Sequence, residues 1–306
     1  MSKNILIVKG GYSDEAEVSR KTADNVNNAL IAKGHKTKVM EVDNSFTAWL
    51  INNKSDIDII FNALHGPWGE DGKIQGLFEY LSIPYTHSGV TASALGMNKQ
   101  LSKNIFNSNG ITVPKGKIIN KDLLLNEDPY NRPYIIKPVN EGSSLGIFII
   151  KKETDIKEII KEIKLNNFMA EEYIPGNDIT VALMDGKPIG MIEIINQKDF
   201  YSYNEKYKSK DTKYVIPKNI EGELEEKILK FSKKSYESLN CQGIARVDFR
   251  LNRSSQKEKV FLLELNTQPG LTINSLFPKI AESAGITFPD LVEWIINNAR
   301  LKNEIL

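Results

Sequence analysis

The chain holds one cysteine in 306 residues, Cys241. No intrachain disulfide can form, so a buried core must hold the fold, and a reducing compartment fits. Long apolar runs are missing too. Nothing approaches the ~20 residues of a membrane span. The stretch from Met1 to Gly11 runs as a short apolar strand into a glycine turn, without the apolar core and cleavage site of a signal peptide. A cytoplasmic protein is expected. An excess of charge of either sign is also absent, since 40 basic residues meet 39 acidic ones for a net charge of +1. That balance argues against nucleic-acid and membrane-surface partners, whose footprint is a basic excess. Internal repeats and low-complexity segments are missing as well.

What is present is a globular composition, 41% hydrophobic and 26% charged, in a chain long enough for two or three domains. The first part alternates strands and helices. Asn4–Val8, Lys36–Val42 and Ile57–Phe61 read as strands, and a helix ends near Gly34. Ile74, Leu77, Phe78 and Leu81 recur at helical spacing. This rhythm predicts an α/β domain with a parallel sheet and ligand-binding loops at the strands' carboxyl ends, where Lys9-Gly10-Gly11 and Leu64-His65-Gly66 stand.

From about Met97 the pattern shifts towards α+β. A helix is expected over 98–108. Strands are expected at Tyr134–Pro138 and Gly146–Lys151, then a helix through Ile156 and Ile163 and a strand at Phe168–Ile174. Pro175-Gly176 punctuates a turn. The expected domains are 1–96, 97–178 and 179–306. The last one opens with strands at Ile179–Met184 and Pro188–Ile195. A helix through Leu224 and Leu239 follows, with further strands at Gly243–Leu251 and Lys259–Asn266 and a final helix from Phe288. Residues 196–215 are polar and rich in tyrosine and lysine, without a period. They read either as a lid over an active site or as a disordered surface loop.

Two late strands carry the sharpest chemistry. Alternation puts Arg246 and Asp248 on one face, and Glu264 and Asn266 on one face of the next strand. A hairpin centred near Gln256 sets Asp248 opposite Glu264 and Arg246 opposite Asn266. Opposed carboxylates repel, and a hard divalent cation turns that repulsion into binding. Mg²⁺ is the natural candidate, completing its shell with water and nucleotide phosphates. The alternative is a solvated face neutralised by Arg246.

Upstream, Asn140-Glu-Gly-Ser-Ser-Leu-Gly146 lies between two strands and by itself reads as an ordinary hairpin loop; its backbone N–H groups could also wrap phosphate oxygens. It is not the Walker pattern. Lys137, in an apolar strand, needs an anion. Ala170-Glu-Glu-Tyr-Ile-Pro-Gly176 places acids in another strand, where a carboxylate can accept from an adenine amino group or ribose hydroxyls, the alternative being a solvent-facing edge strand for one of the two acids.

Taken in order, these segments resemble the D-alanine–D-alanine ligase branch of the ATP-grasp superfamily over residues 4–295. The resemblance is carried by Gly-Gly-Tyr-Ser-Asp-Glu-Ala-Glu-Val-Ser at 10–19, Leu-His-Gly-Pro-Trp-Gly-Glu-Asp-Gly at 64–72 and Gln-Gly at 75–76. It continues through Ile-Pro-Tyr-Thr-His-Ser-Gly-Val-Thr-Ala-Ser-Ala at 83–94, Met-Asn-Lys at 97–99 and Lys-Pro-Val-Asn-Glu-Gly-Ser-Ser-Leu-Gly at 137–146. Glu-Lys-Tyr at 205–207, Arg-Val-Asp-Phe at 246–249 and Glu-Leu-Asn-Thr-Gln-Pro-Gly-Leu-Thr at 264–272 complete it.

The resemblance implies an N-terminal parallel-sheet domain followed by a two-lobed ATP-grasp fold, and a homodimer. The implied activity joins two D-alanines through a D-alanyl-phosphate at the expense of ATP, for peptidoglycan synthesis. Alternatives are another ATP-grasp ligase, such as a D-alanine–D-lactate enzyme, or a catalytically silent ATP-binding regulator. Lys99 and Lys137 would contact phosphates beneath a loop holding Ser143 and Ser144. Glu171, Tyr173 and Ile174 would form the adenine strand, with Asp178 at the ribose and Phe200 and Lys206 completing the ATP contacts. Asp248, Glu264 and Asn266 match magnesium ligands for two ions, with Mn²⁺ as an alternative metal. Glu17 would bind the first D-alanine's ammonium, with His65 nearby. Arg246 and Gly270 would stabilise the oxyanion, and Ser275 and Leu276 would hold the second D-alanine's carboxylate. Glu17, Ser143 and Tyr207 would form a hydrogen-bonded trio tying the lid to the N-terminal domain. Departures from the family pattern are Asp178 for a glutamate, Asn98 and Ser202 for aspartates, and Lys9 for an apolar residue.

Overall fold

The run Ile5-Leu6-Ile7-Val8 is buried on both faces, the signature of a strand covered by helices on either side. In the computed structural model it belongs to β1 (Asn4–Gly10), the centre of a parallel sheet flanked by β2 (Lys36–Val42) and β3 (Ile59–Asn62). The structure describes residues 2–142, 146–195, 213–217, 220, 222–253 and 259–301. One face of this sheet packs on α1 (Ala16–Ala32) through Ala23, Val26 and Leu30. The other packs on α2 (Phe46–Asn53) and α3 (Lys73–Tyr80) through Phe46, Leu50 and Phe78. Short helices α4 (Val90–Met97) and α5 (Lys99–Ser108) follow. The Asn98 side chain caps α5 by accepting from Leu101 N–H at 3.0 Å. Asparagine and aspartate cap almost equally well, so the departure at this position costs the helix little.

A four-stranded antiparallel sheet comes next, in the order β4 (Gly116–Asn120), β7 (Asn167–Glu172), β5 (Tyr134–Lys137), β6 (Phe148–Ile150). Its core is closed by α6 (Lys121–Asn126) and α7 (Ile156–Glu162), with Ile119, Tyr134, Ile136 and Phe168 at the centre. A five-stranded antiparallel sheet follows, ordered β10 (Lys213–Val215), β9 (Lys187–Ile195), β8 (Asn177–Met184), β11 (Ile244–Asn252), β12 (Lys259–Asn266). One of its faces packs on α8 (Glu223–Ser238) and on Ala92 and Phe106 of the 90–108 helices. The other meets α9 (Leu276–Ser283). The last helix, α10 (Phe288–Asn297), returns to α1, so Leu291, Val292 and Ile295 share a core with Ile5 and Ile7.

Residues 213–215, expected within the aperiodic segment 196–215, instead form a strand paired to β9. Residues 196–212, with Phe200, Lys206 and Tyr207, lie outside the described residues, as do Ser143 and Ser144. Helices α2, α4, α6 and α9 were not read from the sequence. Each spans at most 8 residues. Among the described residues no helix is long and apolar enough to cross a membrane.

Candidate active site

One cleft gathers side chains from the two antiparallel sheets, from helices α1, α4 and α5, and from the loops between them. Its lining includes Glu15, His65, Lys99, Lys137, Glu171, Asp178, Arg246, Asp248, Glu264, Asn266, Gly270, Ser275 and Leu276. Ile135, Ile147, Ile194 and Leu263 supply apolar wall, which the sequence reading did not single out.

The late hairpin has the expected register. Asp248 pairs with Glu264 and Arg246 with Asn266, and a bulge follows directly after Asp248. The Arg246 fork lies along Asp248, with Nη2 2.8 Å from Oδ2 and Nε 3.0 Å from Oδ1. Across the other neighbour, Thr180 Oγ1 donates to Asp248 Oδ1 at 2.8 Å. Lys99 Nζ stands 3.6 Å from Glu264 Oε2 and also donates to the Glu141 carbonyl. Asn266 Oδ1 accepts from Gln268 N–H at 2.8 Å, which fixes its direction. Among the described residues no three His, Cys, Asp or Glu side chains cluster in metal-binding geometry. The candidate donor set is two carboxylates and one amide, all hard oxygens on one wall, and these suit Mg²⁺.

Lys137 does find an anion. Its Nζ lies 3.0 Å from both oxygens of Glu171. A second lysine, Lys103, reaches the same carboxylate at 2.5 Å. Burial is the largest influence on both groups. It pushes Lys103 down to about 8, against the pull of Glu171. It also pushes Glu171 upwards, but the charges of Lys103 and Lys137 outweigh it and hold that carboxyl below its ordinary range. The sequence reading missed Lys103. Its one signal is the i, i+4 spacing from Lys99 along α5.

Glu171 ends near the close of β7, so Tyr173 and Ile174 lie beyond the strand rather than in it. Glu171 and Asp178 line the cavity, whereas Tyr173 and Ile174 are not among its lining residues. Asp178 pairs with Arg250 at 2.8 Å.

The expected role of Glu17 is overturned. Helix α1 begins at Ala16, and its first turn aims Glu17 at solvent. There its side chain is 66% exposed, 3.7 Å from Arg20 and from Lys21. Glu15, just before the helix, is only 6% exposed and enters the cleft. A methyl group added at Gly66 would lie 2.5 Å from Glu15 Oε2, and one at Gly142 2.8 Å from it. Glu15 therefore joins the His65-Gly66 turn to the start of the 140–146 loop. Glu17 is not among the residues lining the cleft, and the other two members of its expected trio, Ser143 and Tyr207, lie outside the described residues.

His65 is held at both ring nitrogens, Nε2 by Thr22 Oγ1 at 3.0 Å and Nδ1 by Glu70 Oε1 at 2.9 Å. A buried amide network ties this turn to the metal-candidate strand. Gln268 donates to the Leu64 carbonyl at 2.5 Å and accepts from Asn62 Nδ2 at 2.9 Å. At the far end, Ser275 Oγ binds Thr272 at the hydroxyl (2.8 Å) and at the backbone N–H (3.1 Å), just before α9.

Comparison with known proteins places the chain among ligases. Residues 109–297 match the family model described as D-ala D-ala ligase C-terminus, and residues 46–88 match D-ala D-ala ligase N-terminus. A Pelagibacter ubique D-alanine–D-alanine ligase is 41% identical over 98% of this chain and 99% of its own length. A Bartonella henselae D-alanine–D-alanine ligase is 37% identical over 97% of this chain and 98% of its own. The crystal structure of D-alanine–D-alanine ligase from Bacillus anthracis complexed with ATP superposes with a TM-score of 0.79, at 30% identity over 97% of each chain.

Proposed function

The chain belongs to the D-alanine–D-alanine ligase family, and on that premise we propose how its cleft works. The enzyme takes ATP and two D-alanines and returns D-alanyl-D-alanine, ADP and phosphate, supplying peptidoglycan synthesis. A carboxylate is a poor electrophile. The γ-phosphoryl group passes to the first D-alanine's carboxylate, the second D-alanine attacks with its amine, and phosphate leaves.

Glu15, in place of Glu17, receives the first D-alanine's ammonium, and His65 orients beside it. A nearly buried carboxylate binds a cation strongly because little water competes. Lys99 and Lys137 meet the phosphates, beneath the loop that carries Ser143 and Ser144. Glu171, Tyr173, Ile174 and Asp178 take the nucleoside, with Phe200 and Lys206 from the segment 196–212. Arg246 and the Gly270 N–H face the oxyanion, a role for donors fixed in advance. Ser275 and Leu276, at the N-terminus of α9, hold the acceptor's carboxylate, where the helix dipole favours an anion. The trio tying down the lid is reassigned to Glu15, Ser143 and Tyr207. Asp248, Glu264 and Asn266 would hold Mg²⁺, which when bound neutralises phosphate charge. A closed lid keeps water from the acyl-phosphate.

The observation that carries this reading is the shared cleft. The Asp248/Glu264 pair on one sheet faces the same cavity as Glu15 and His65 beside another. The test is product analysis with ATP, Mg²⁺ and D-alanine. ADP release that requires D-alanine and yields the dipeptide is expected. ADP release independent of D-alanine, or a preference for D-lactate as acceptor, would overturn the reading. A three-domain division at 96 and 178, a homodimer and a cytoplasmic site of action complete the proposal. Light scattering tests the dimer.

A further inference from the structure

Arg250 belongs to no part of the mechanism above, yet its guanidinium touches three residues assigned to the nucleotide. Nη1 lies 2.8 Å from Asp178 Oδ1, and Nε donates to the Ile174 carbonyl at 3.0 Å. The guanidinium carbon stands 5.9 Å from the centre of the Tyr173 ring. Arg250 and Asp178 are direct register partners on β11 and β8, so the ion pair follows from strand pairing. The turn between them is pressed onto the same strand, because at Gly176 any Cβ would collide with the Leu251 carbonyl. Arg250 is buried, and Asp178 lines the cavity.

We propose that Arg250 is a positioning residue of the nucleotide subsite, holding Asp178 and the 173–174 segment in the geometry that reads the ribose hydroxyls. The inference rests on the reading of this cleft as an ATP site. A ribose hydroxyl donates to a carboxylate, as in dinucleotide sites. A carboxylate can accept about four hydrogen bonds, so Asp178 can serve Arg250 and a ribose together. The aspartate arm is one methylene shorter than glutamate, and its reach depends on how it is aimed. A planar fork fixes that aim, since it binds a carboxylate and a carbonyl at once with its carbon 5.9 Å from a ring centre. A lysine ammonium supplies the charge without the fork.

The experiment measures kcat/KM for ATP, 2′-deoxy-ATP and 3′-deoxy-ATP with saturating Mg²⁺ and D-alanine. The proteins are the wild type, Arg250→Met, Arg250→Lys, Asp178→Asn and the double variant Arg250→Met with Asp178→Asn. Each preference is a ratio within one preparation, so a partly unfolded sample does not distort it. The wild type is expected to prefer ATP over at least one deoxy analogue. Arg250→Met should lower that preference about tenfold, the scale of one hydrogen bond to a charged group, while the KM for D-alanine stays at the wild-type value. Asp178→Asn should lower it similarly, and the double variant should fall no further. Arg250→Lys should fall between, and it carries the comparison if Arg250→Met does not fold. An unchanged ratio in the Arg250 variants would reduce Arg250 to packing and overturn the proposal. So would a wild type that uses all three nucleotides equally. A wild type that uses no ATP in the presence of D-alanine would instead bring down the functional reading itself.

Discussion

Asp248 and Glu264 stand as register partners across two antiparallel strands, and each has a cation beside it. Arg246 lies 2.8 Å from Asp248 and Lys99 lies 3.6 Å from Glu264. Opposed carboxylates destabilise a strand pair when nothing offsets them. Here the cleft brings its own positive charges, so the fold does not need a bound ion to tolerate the pair.

Replacing Glu264 by Gln should therefore separate chemistry from stability. Ligation should nearly vanish, because the metal wall loses one of its two carboxylates. The melting temperature in the presence of chelator should stay within a few degrees of wild type, a change of at most ~1 kcal/mol. A variant that melts far lower without metal would make Glu264 a structural acid.

Glu15 and Glu17 give opposite expectations two residues apart. Glu15→Gln removes a nearly buried anion from the donor pocket and should cost about 2–5 kcal/mol in kcat/KM for D-alanine. Glu17→Gln changes an exposed side chain and should stay within about 0.5 kcal/mol in activity. Steady-state kinetics at saturating ATP decides. The reverse ranking would restore Glu17 to the site.

Lys103 offers a pH test. Its folded-state pKa of about 8 lies below its ordinary value of 10.5. Between those values the unfolded chain binds the proton and the folded chain does not, so the contribution of Lys103 to stability rises with pH across that window. Below it, the cost of burying the charge is fully present. Urea unfolding of wild type and Lys103→Met from pH 7 to 10.5 should show the wild type gaining relative to the variant. A flat difference would mean that Lys103 titrates as a free lysine.

Gln268→Met keeps the volume of the side chain but cannot bond to Leu64 or Asn62. The donor turn at His65 would lose its register against Asn266. A misplacement near 1 Å can cost on the order of 100-fold in rate, so kcat should fall by about 10–100-fold. Nucleotide affinity without D-alanine, measured by calorimetry, should hold. A parallel loss of both would point to general loosening of the fold.

Sequence alone determined the parts that depend on local period. The apolar run at 5–8 required a strand covered on both faces. The two-residue alternation in 246–251 and 259–266, with a polar connection midway, put Asp248 and Glu264 on neighbouring strands of one hairpin, and the bulge after Asp248 sets them opposite each other. Tertiary structure decided which polar groups meet. Glu15 and Glu17 share one short motif, and only the approach of Gly66 and Gly142 selects the first. Lys103 is one more lysine in a helix until Glu171, 68 positions later, is folded against it at 2.5 Å. Gln268 and Asn62 are 206 residues apart, and Arg250 meets Asp178 only once β11 lies beside β8. Periodicity fixes the face on which a side chain emerges. What that face touches, and how much water it loses there, depends on how the sheets close over the cleft.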